Sequence, residues 1–231
     1  MTVTEFGVTK AAAETVTPQL RTALENALAA QTRWLGIDPS ATGANAVTGD
    51  RAWLYQQVED PANALMIATW TDVDQHTAWA STEPDRGTLM PAIGKHLHIP
   101  SEADPSPTVT LVHTEGDHLS RAATPAGRTA LLDSPVISVT RFFVMPGKRA
   151  EFDAAYNDAK HDIARFAAPF TQQGSWRVDP DEPEQEEFVL VCGWESREAH
   201  FAISQSEIAP KLGALMGLTS GNTSLHYKRL L

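Results

Sequence analysis

Four histidines fall into two matched pairs. His76 and His200 each stand six residues after a tryptophan, Trp70 and Trp194, and His113 and His226 each lie in the last extended segment of their half of the chain. An imidazole titrates near neutrality, so His76 or His200 at the mouth of a cavity can act as general base toward an acidic phenol or an activated carbon. The plainer alternative is a helix histidine that caps or lies at the surface in both copies. Strand alternation sends His113 and His226 each to one face of a sheet, where a lone histidine is more often structural. Tyr55, expected beside His113 on the sheet, would add a second polar group to the first cavity.

Other chemistry is thinner. Glu5 and Arg141 read as matched first-strand residues of opposite sign. They could meet as a salt bridge between the halves, or each could point into its own cavity, where Arg141 would hold a carboxylate or phenolate. Cys192 is the only cysteine and lies in the apolar run Phe188–Cys192, which fits a small buried thiol better than a nucleophile. There is no intrachain disulfide and no Cys-rich metal site. Close His and carboxylate spacing is also lacking, so no metal is expected; His96 and His98 flank Leu97 as a weak signal, better read as two exposed histidines. Without a glycine-rich phosphate loop or a Gly-x-Ser-x-Gly elbow, nucleotide cofactors and serine hydrolysis lose support, and no cofactor is expected.

These residues are positioned by a duplicated framework. Trp53 to Gly94 and Trp176 to Gly213 run in parallel, pairing Trp53 with Trp176, Trp70 with Trp194, His76 with His200, Pro91 with Pro210 and Gly94 with Gly213. Val3–Phe6 reads against Val139–Phe142 in the same way. Repeats of about a hundred residues are small domains rather than solenoid turns. The expected division is 1–118, a linker at 119–134 rich in Ala, Thr, Arg and Pro, and 135–231. Each half reads strand, helix, strand, strand, helix, strand. Thr17-Pro18 opens a helix whose face carries Leu20, Leu24, Leu28 and Leu35; Asp60–Asn63 turns a hairpin; Asp72 with Gln75 resembles a capping box. The second half repeats the order, with Phe152, Tyr156, Ala159, Ile163 and Phe166 on one helix side, and a hairpin of 175–178 and 188–194 around the acidic segment 179–187, read as a solvated turn. The loop Asp38–Asp50 has no counterpart in the second half.

Composition bounds the partners. The 231 residues carry a formal charge of -11, with a pI near 5.1, which argues against nucleic acid and disfavours anionic membranes. No stretch approaches the roughly 20 apolar residues of a membrane span, and the first residues lack the basic flank and apolar core of a signal peptide. A soluble, cytoplasmic protein is expected, monomeric as a fused pseudo-dimer or weakly homodimeric.

The order of elements is the ferredoxin-like βαββαβ unit. With a hairpin whose second strand ends in Trp70 or Trp194, followed by a short helix bearing His76 or His200, the chain resembles the dimeric α+β barrel superfamily, and within it the antibiotic biosynthesis monooxygenase-like domains in tandem form. The resemblance implies an α+β fold of two ferredoxin-like repeats forming an intramolecular dimeric barrel. It implies a cofactor-independent enzyme of secondary metabolism, acting on an aromatic or polyketide-like substrate in an apolar cavity as a monooxygenase or as a cyclase or isomerase. Trp70 and Trp194 resemble the pocket tryptophan of that family, with Trp53, Trp79, Tyr156, Trp176 and Arg141 as further substrate-binding candidates. Tyr55 with His113 resembles the acid-base pair of cofactor-free cyclases. The alternatives are a non-catalytic small-molecule-binding or stress-response barrel, and a haem-binding relative. Haem degraders carry an asparagine on the first strand and a histidine further along the second helix, where this chain has Glu5 or Arg141 and Trp79. The extra loop, Tyr55 and His113 favour the first half as the working one.

Overall fold

The computed structural model describes residues 1–36, 52–82, 84–121, 124–182 and 184–230, with positions 84 and 85 described by backbone only. The loop Asp38–Asp50 lies outside the described residues. The chain divides into two compact units, Met1–Leu119 with Lys228–Leu231, and Ser120–Tyr227.

The first unit runs β1 (Val3–Lys10), α1 (Pro18–Trp34), β2 (Ala52–Gln57), β3 (Asn63–Trp70), α2 (Val73–Ala80), a π-helical stretch (Pro84–Leu89) continuing into α3 (Met90–Gly94), and β4 (Val109–Glu115). Its strands lie in the order β4-β1-β3-β2, each pair antiparallel. Thr17 caps α1 by accepting from the Leu20 amide, with Pro18 in the first turn, where a missing N–H is harmless. Leu20, Leu24 and Leu28 are buried, but Leu35 falls at the C-cap, one residue beyond the helix. Asp72 accepts from the Gln75 amide, and the Gln75 side chain accepts from the Thr71 amide, so both orphan donors at the start of α2 are satisfied.

The second unit runs through a 3-10 turn (Leu131–Asp133), β5 (Val136–Val144), α4 (Arg149–Phe166), β6 (Gln172–Trp176), β7 (Glu186–Trp194), α5 (Arg197–Phe201), a 3-10 turn (Ala202–Gln205), α6 (Ala209–Met216) and β8 (Thr219–Arg229), whose last two residues count with the first unit. Its order is β8-β5-β7-β6, again antiparallel. Both units are therefore ferredoxin-like, and the α+β tandem read from the sequence is the fold observed. Phe142, Phe152, Ile163, Trp176 and Phe188 anchor the core between the α4 side and the sheet.

Two details differ from expectation. Most of the segment read as a linker packs into the second unit: Leu131 and Leu132 are buried, and Thr129 bridges to Phe170. Ser134 lies so near Gly193 that a Cβ on that glycine would sit 2.0 Å from its Oγ. The acidic segment is no simple solvated turn, because Asp179, Asp181 and Glu187 surround the Arg177 guanidinium, whose side chain is 3% exposed. Among the described residues no helix is long and apolar enough to cross a membrane.

Candidate active site

Strand register fixes which residues are equivalent. Val3 lies opposite Trp70, and Val136 lies opposite Trp194. Two residues on, Glu5 faces Ala68 and His113, while Ser138 faces Cys192 and His226. The counterpart of Glu5 is thus Ser138, not Arg141. A slip of three residues is odd, so it exchanges the two faces of the sheet. Arg141 points away from the row that holds Ser138, and it forms a two-armed ion pair with Glu187 of its own unit, one arm at 2.9 Å. It neither bridges the halves nor stands in line with Glu5. The β2 and β6 register slips likewise: Ala52 opposes Ala68 and Gln172 opposes Cys192, so Trp176 corresponds to Gln56 rather than Trp53.

In the first unit, Glu5, Trp70, His76 and His113 meet. The Trp70 indole N–H donates to Glu5 Oε2 at 2.6 Å. His76 Nε2 stands 3.6 Å from the same oxygen, and His76 Nδ1 lies 2.9 Å from His113 Nε2. The His76 ring packs on both neighbours, with centroids 4.8 Å from Trp70 and 4.9 Å from His113. Glu5 and His113 are buried. The expectation that no tight set of histidine and carboxylate exists is corrected here, since ligand atoms of Glu5, His76 and His113 lie within 4.8 Å of one another. Their positions in sequence form no motif; antiparallel pairing of β1 with β4 and the short α2 bring them together.

The second unit repeats this arrangement with a hydroxyl in place of the carboxylate. The Trp194 indole N–H donates to Ser138 Oγ at 2.8 Å, and His200 Nδ1 lies 2.7 Å from His226 Nε2. His200 stacks on Trp194 with centroids 4.6 Å apart and planes within 21°. Here a cavity of about 430 Å³ opens between the sheet and the helices. Its walls are mostly apolar, with Phe142, Ile163, Leu190, Leu212, Leu215 and Met216 among them. Ser138, Thr140, Ser204, Ser224, Asn222 and His200 supply polar groups, and Thr140 and Ser224 hydrogen-bond each other at 2.8 Å. Cys192 also lines it; burial pushes the thiol pKa well up, so the group is a neutral wall rather than a nucleophile.

The remaining candidates lie elsewhere. Tyr55 does not join His113: it sits on β2, at the opposite edge of the unit's sheet from β4, and opposes Leu65 on the face that Glu5 does not share. Trp53 shares that face, buried beneath the Arg229 guanidinium. Trp79 is buried against Trp34. Tyr156 donates to Gln172 Oε1 at 2.9 Å, and burial raises its pKa. Trp176 donates to Asp153 under Arg149, within the core. None of these five tryptophan and tyrosine side chains lines the cavity of the second unit. His98 pairs with Asp104 rather than with His96. Sequence reasoning missed Ser138, Phe201 and the gathering of Glu5 with the histidines; the position two residues after the one opposite each strand-ending tryptophan was the available signal.

No protein-family model and no curated protein matches the sequence. Among solved structures, an anthrone oxidase-like protein matches at 15% identity and a TM-score of 0.63, over 100% of this chain and 92% of its own. A protein named as a monooxygenase from Lactobacillus acidophilus NCFM matches at 9% identity and 0.57, over 99% and 93%. Another so named, from Fusobacterium nucleatum subsp. nucleatum, matches at 8% and 0.58, over 100% and 93%. At such identities the likeness is one of fold, and it runs through both units.

Proposed function

We propose that this chain is an enzyme of the cofactor-independent oxygenase type, acting on an aromatic, polyketide-like substrate in the second unit. The observation that carries the reading is the apolar cavity ending in His200. Its volume of about 430 Å³ lies within the range of about 300–1,000 Å³ typical of small-molecule sites. With Nδ1 held by His226, proton exchange with a substrate goes through Nε2 of His200. Trp194 and Phe201 line the cavity beside His200, on which both rings stack. The named likeness to an anthrone oxidase-like fold and to monooxygenase folds agrees in kind.

In the oxygenase version, His200 removes a proton from an activated ring methylene and leaves an enolate in a dry pocket, where fixed dipoles at Thr140 and Ser224 are worth more than in water. The carbanion gives one electron to dioxygen, the radical pair joins as a peroxide, and loss of water leaves a ketone. The balance is R₂CH₂ + O₂ → R₂C=O + H₂O, with the substrate supplying all the electrons. In the cyclase or isomerase version the same enolate attacks or reprotonates within the molecule.

Purified protein incubated with a panel of aromatic polyketides, with dissolved oxygen followed alongside, tests the reading. Conversion with oxygen uptake is expected, with His200→Ala lowering turnover by about 10²–10⁴-fold and His226→Ala lowering kcat more than KM. Conversion without oxygen uptake selects the cyclase version. Retention without conversion makes the chain a binding protein and overturns the enzymatic reading.

A further inference from the structure

We propose that Glu5, His76 and His113 of the first unit form a binding site for a first-row divalent transition metal ion of the class Zn²⁺, Fe²⁺ or Co²⁺. The three side chains each offer one ligand atom, and these atoms lie within 4.8 Å of one another. His76 Nδ1 lies 2.9 Å from His113 Nε2, and its other ring nitrogen, Nε2, lies 3.6 Å from Glu5 Oε2. Metal–ligand bonds of about 2.0–2.1 Å place adjacent ligands roughly 2.9–3.4 Å apart in octahedral or tetrahedral geometry. One nitrogen of His76 serves the ion, and with the three ligand atoms within 4.8 Å of one another, rotation of the His76 ring and the Glu5 carboxyl closes the set on it.

The donor chemistry fits the class. Two imidazoles with one carboxylate suit borderline first-row ions, and three protein ligands leave at least one position open. Glu5 is pre-oriented, because Trp70 holds Oε2 at 2.6 Å. Orienting a ligand carboxylate through a hydrogen bond is a typical outer-shell device. Around Oε1 the protein keeps space: a Cβ on Gly7 would stand 3.1 Å from that atom. The second unit has Thr140 at the equivalent strand position, and Ser138 in place of the carboxylate. The same two histidines, Trp and helix are thus present in both units, but only the first supplies a metal-type donor set.

The test is direct and needs no substrate, so its failure is separate from failure of the proposed reaction. The full chain, stripped by chelator, is titrated with Zn²⁺ by calorimetry and with Co²⁺ by visible absorption. One equivalent per chain is expected, weakened about 100-fold or more in Glu5→Gln and in His113→Gln and unchanged in the exposed-helix variant His161→Ala. Where a variant fails to fold, long-range ¹H–¹⁵N spectra of the native protein decide: the ring nitrogens of His76 and His113 shift with one equivalent of Zn²⁺, and those of His200 and His226 do not. Zn²⁺ binding that survives both substitutions, that shifts His200 instead, or that is absent at submillimolar ion overturns the proposal.

Discussion

His118 couples stability of the first unit to pH by an amount that follows from its burial. The imidazole is 3% exposed, and Phe6 meets its ring edge-on at 5.6 Å. Thr114 Oγ1 lies 3.1 Å from its Nε2. Loss of water around the ring pulls the pKa from 6.5 to about 4, against weaker opposing effects of a Glu115 backbone hydrogen bond and the Asp117 charge. In the unfolded chain the group returns to about 6.5. Between these values the unfolded state binds a proton that the folded state refuses, so stability is full above pH 6.5 and falls as the pH drops toward 4. A gap of about 2.5 pH units at about 1.4 kcal/mol each amounts to about 3–4 kcal/mol once both states are protonated. His118→Gln removes the titration and keeps a polar side chain opposite Thr114. Hydrogen exchange of β1 and β4 amides, read from pH 4 to 7.5, gives opening free energies for both proteins. The difference between them should change by about 3 kcal/mol from pH 6.5 to 4 and stay flat above 7. A difference that stays constant across the acid range would refute the reasoning.

Two more substitutions probe the scaffold of the second unit. Gly193→Ala would set a Cβ 2.0 Å from Ser134 Oγ and 2.9 Å from the Phe170 Cβ, so a loss of about 1–3 kcal/mol or more is expected in thermal melts; Ser134→Gly in the same chain should restore part of it. Glu187→Gln strips one charge from a carboxylate whose side chain is 0% exposed and which pairs with Arg141 and Arg177. The buried guanidinium of Arg177 then loses compensation, and urea unfolding should show about 3–5 kcal/mol of destabilisation.

The element order was legible because its signals are local. Thr17-Pro18, Asp72 with Gln75 and the Asp60 turn each satisfy backbone donors within a few residues, and all three are present. Strand register is not local. The apolar alternation in Val3–Phe6 fits Val139–Phe142 as readily as its true partner, residues 136–139, and only pairing across the sheet selects between them. That three-residue slip turned Arg141 toward the wrong face in the sequence reading and hid Ser138. The His76–His113 and His200–His226 pairs were visible as matched positions, but their contact depends on a short helix folding back over the last strand of each half. The placement of Tyr55 failed for a similar reason: β2 and β4 occupy opposite edges of the unit's sheet, an order that sequence proximity does not reveal.

The tandem arrangement explains how one scaffold carries two different side-chain clusters. In a homodimer every substitution appears in both copies, whereas a fused pair lets each copy change alone. The four fixed parts are the strand-ending tryptophan, the helix histidine, the last-strand histidine and the indole hydrogen bond. What varies is the acceptor of that bond. Glu5 extends a carboxylate past Trp70 to within 3.6 Å of His76, placing charge among the histidines and making a donor set for a cation. Ser138 stops short, and the helix-facing surface around it lines the apolar cavity that His200 borders. A single acceptor position thus separates a carboxyl-bearing histidine cluster from an apolar cavity, and the proposed reaction uses the second half where the sequence favours the first.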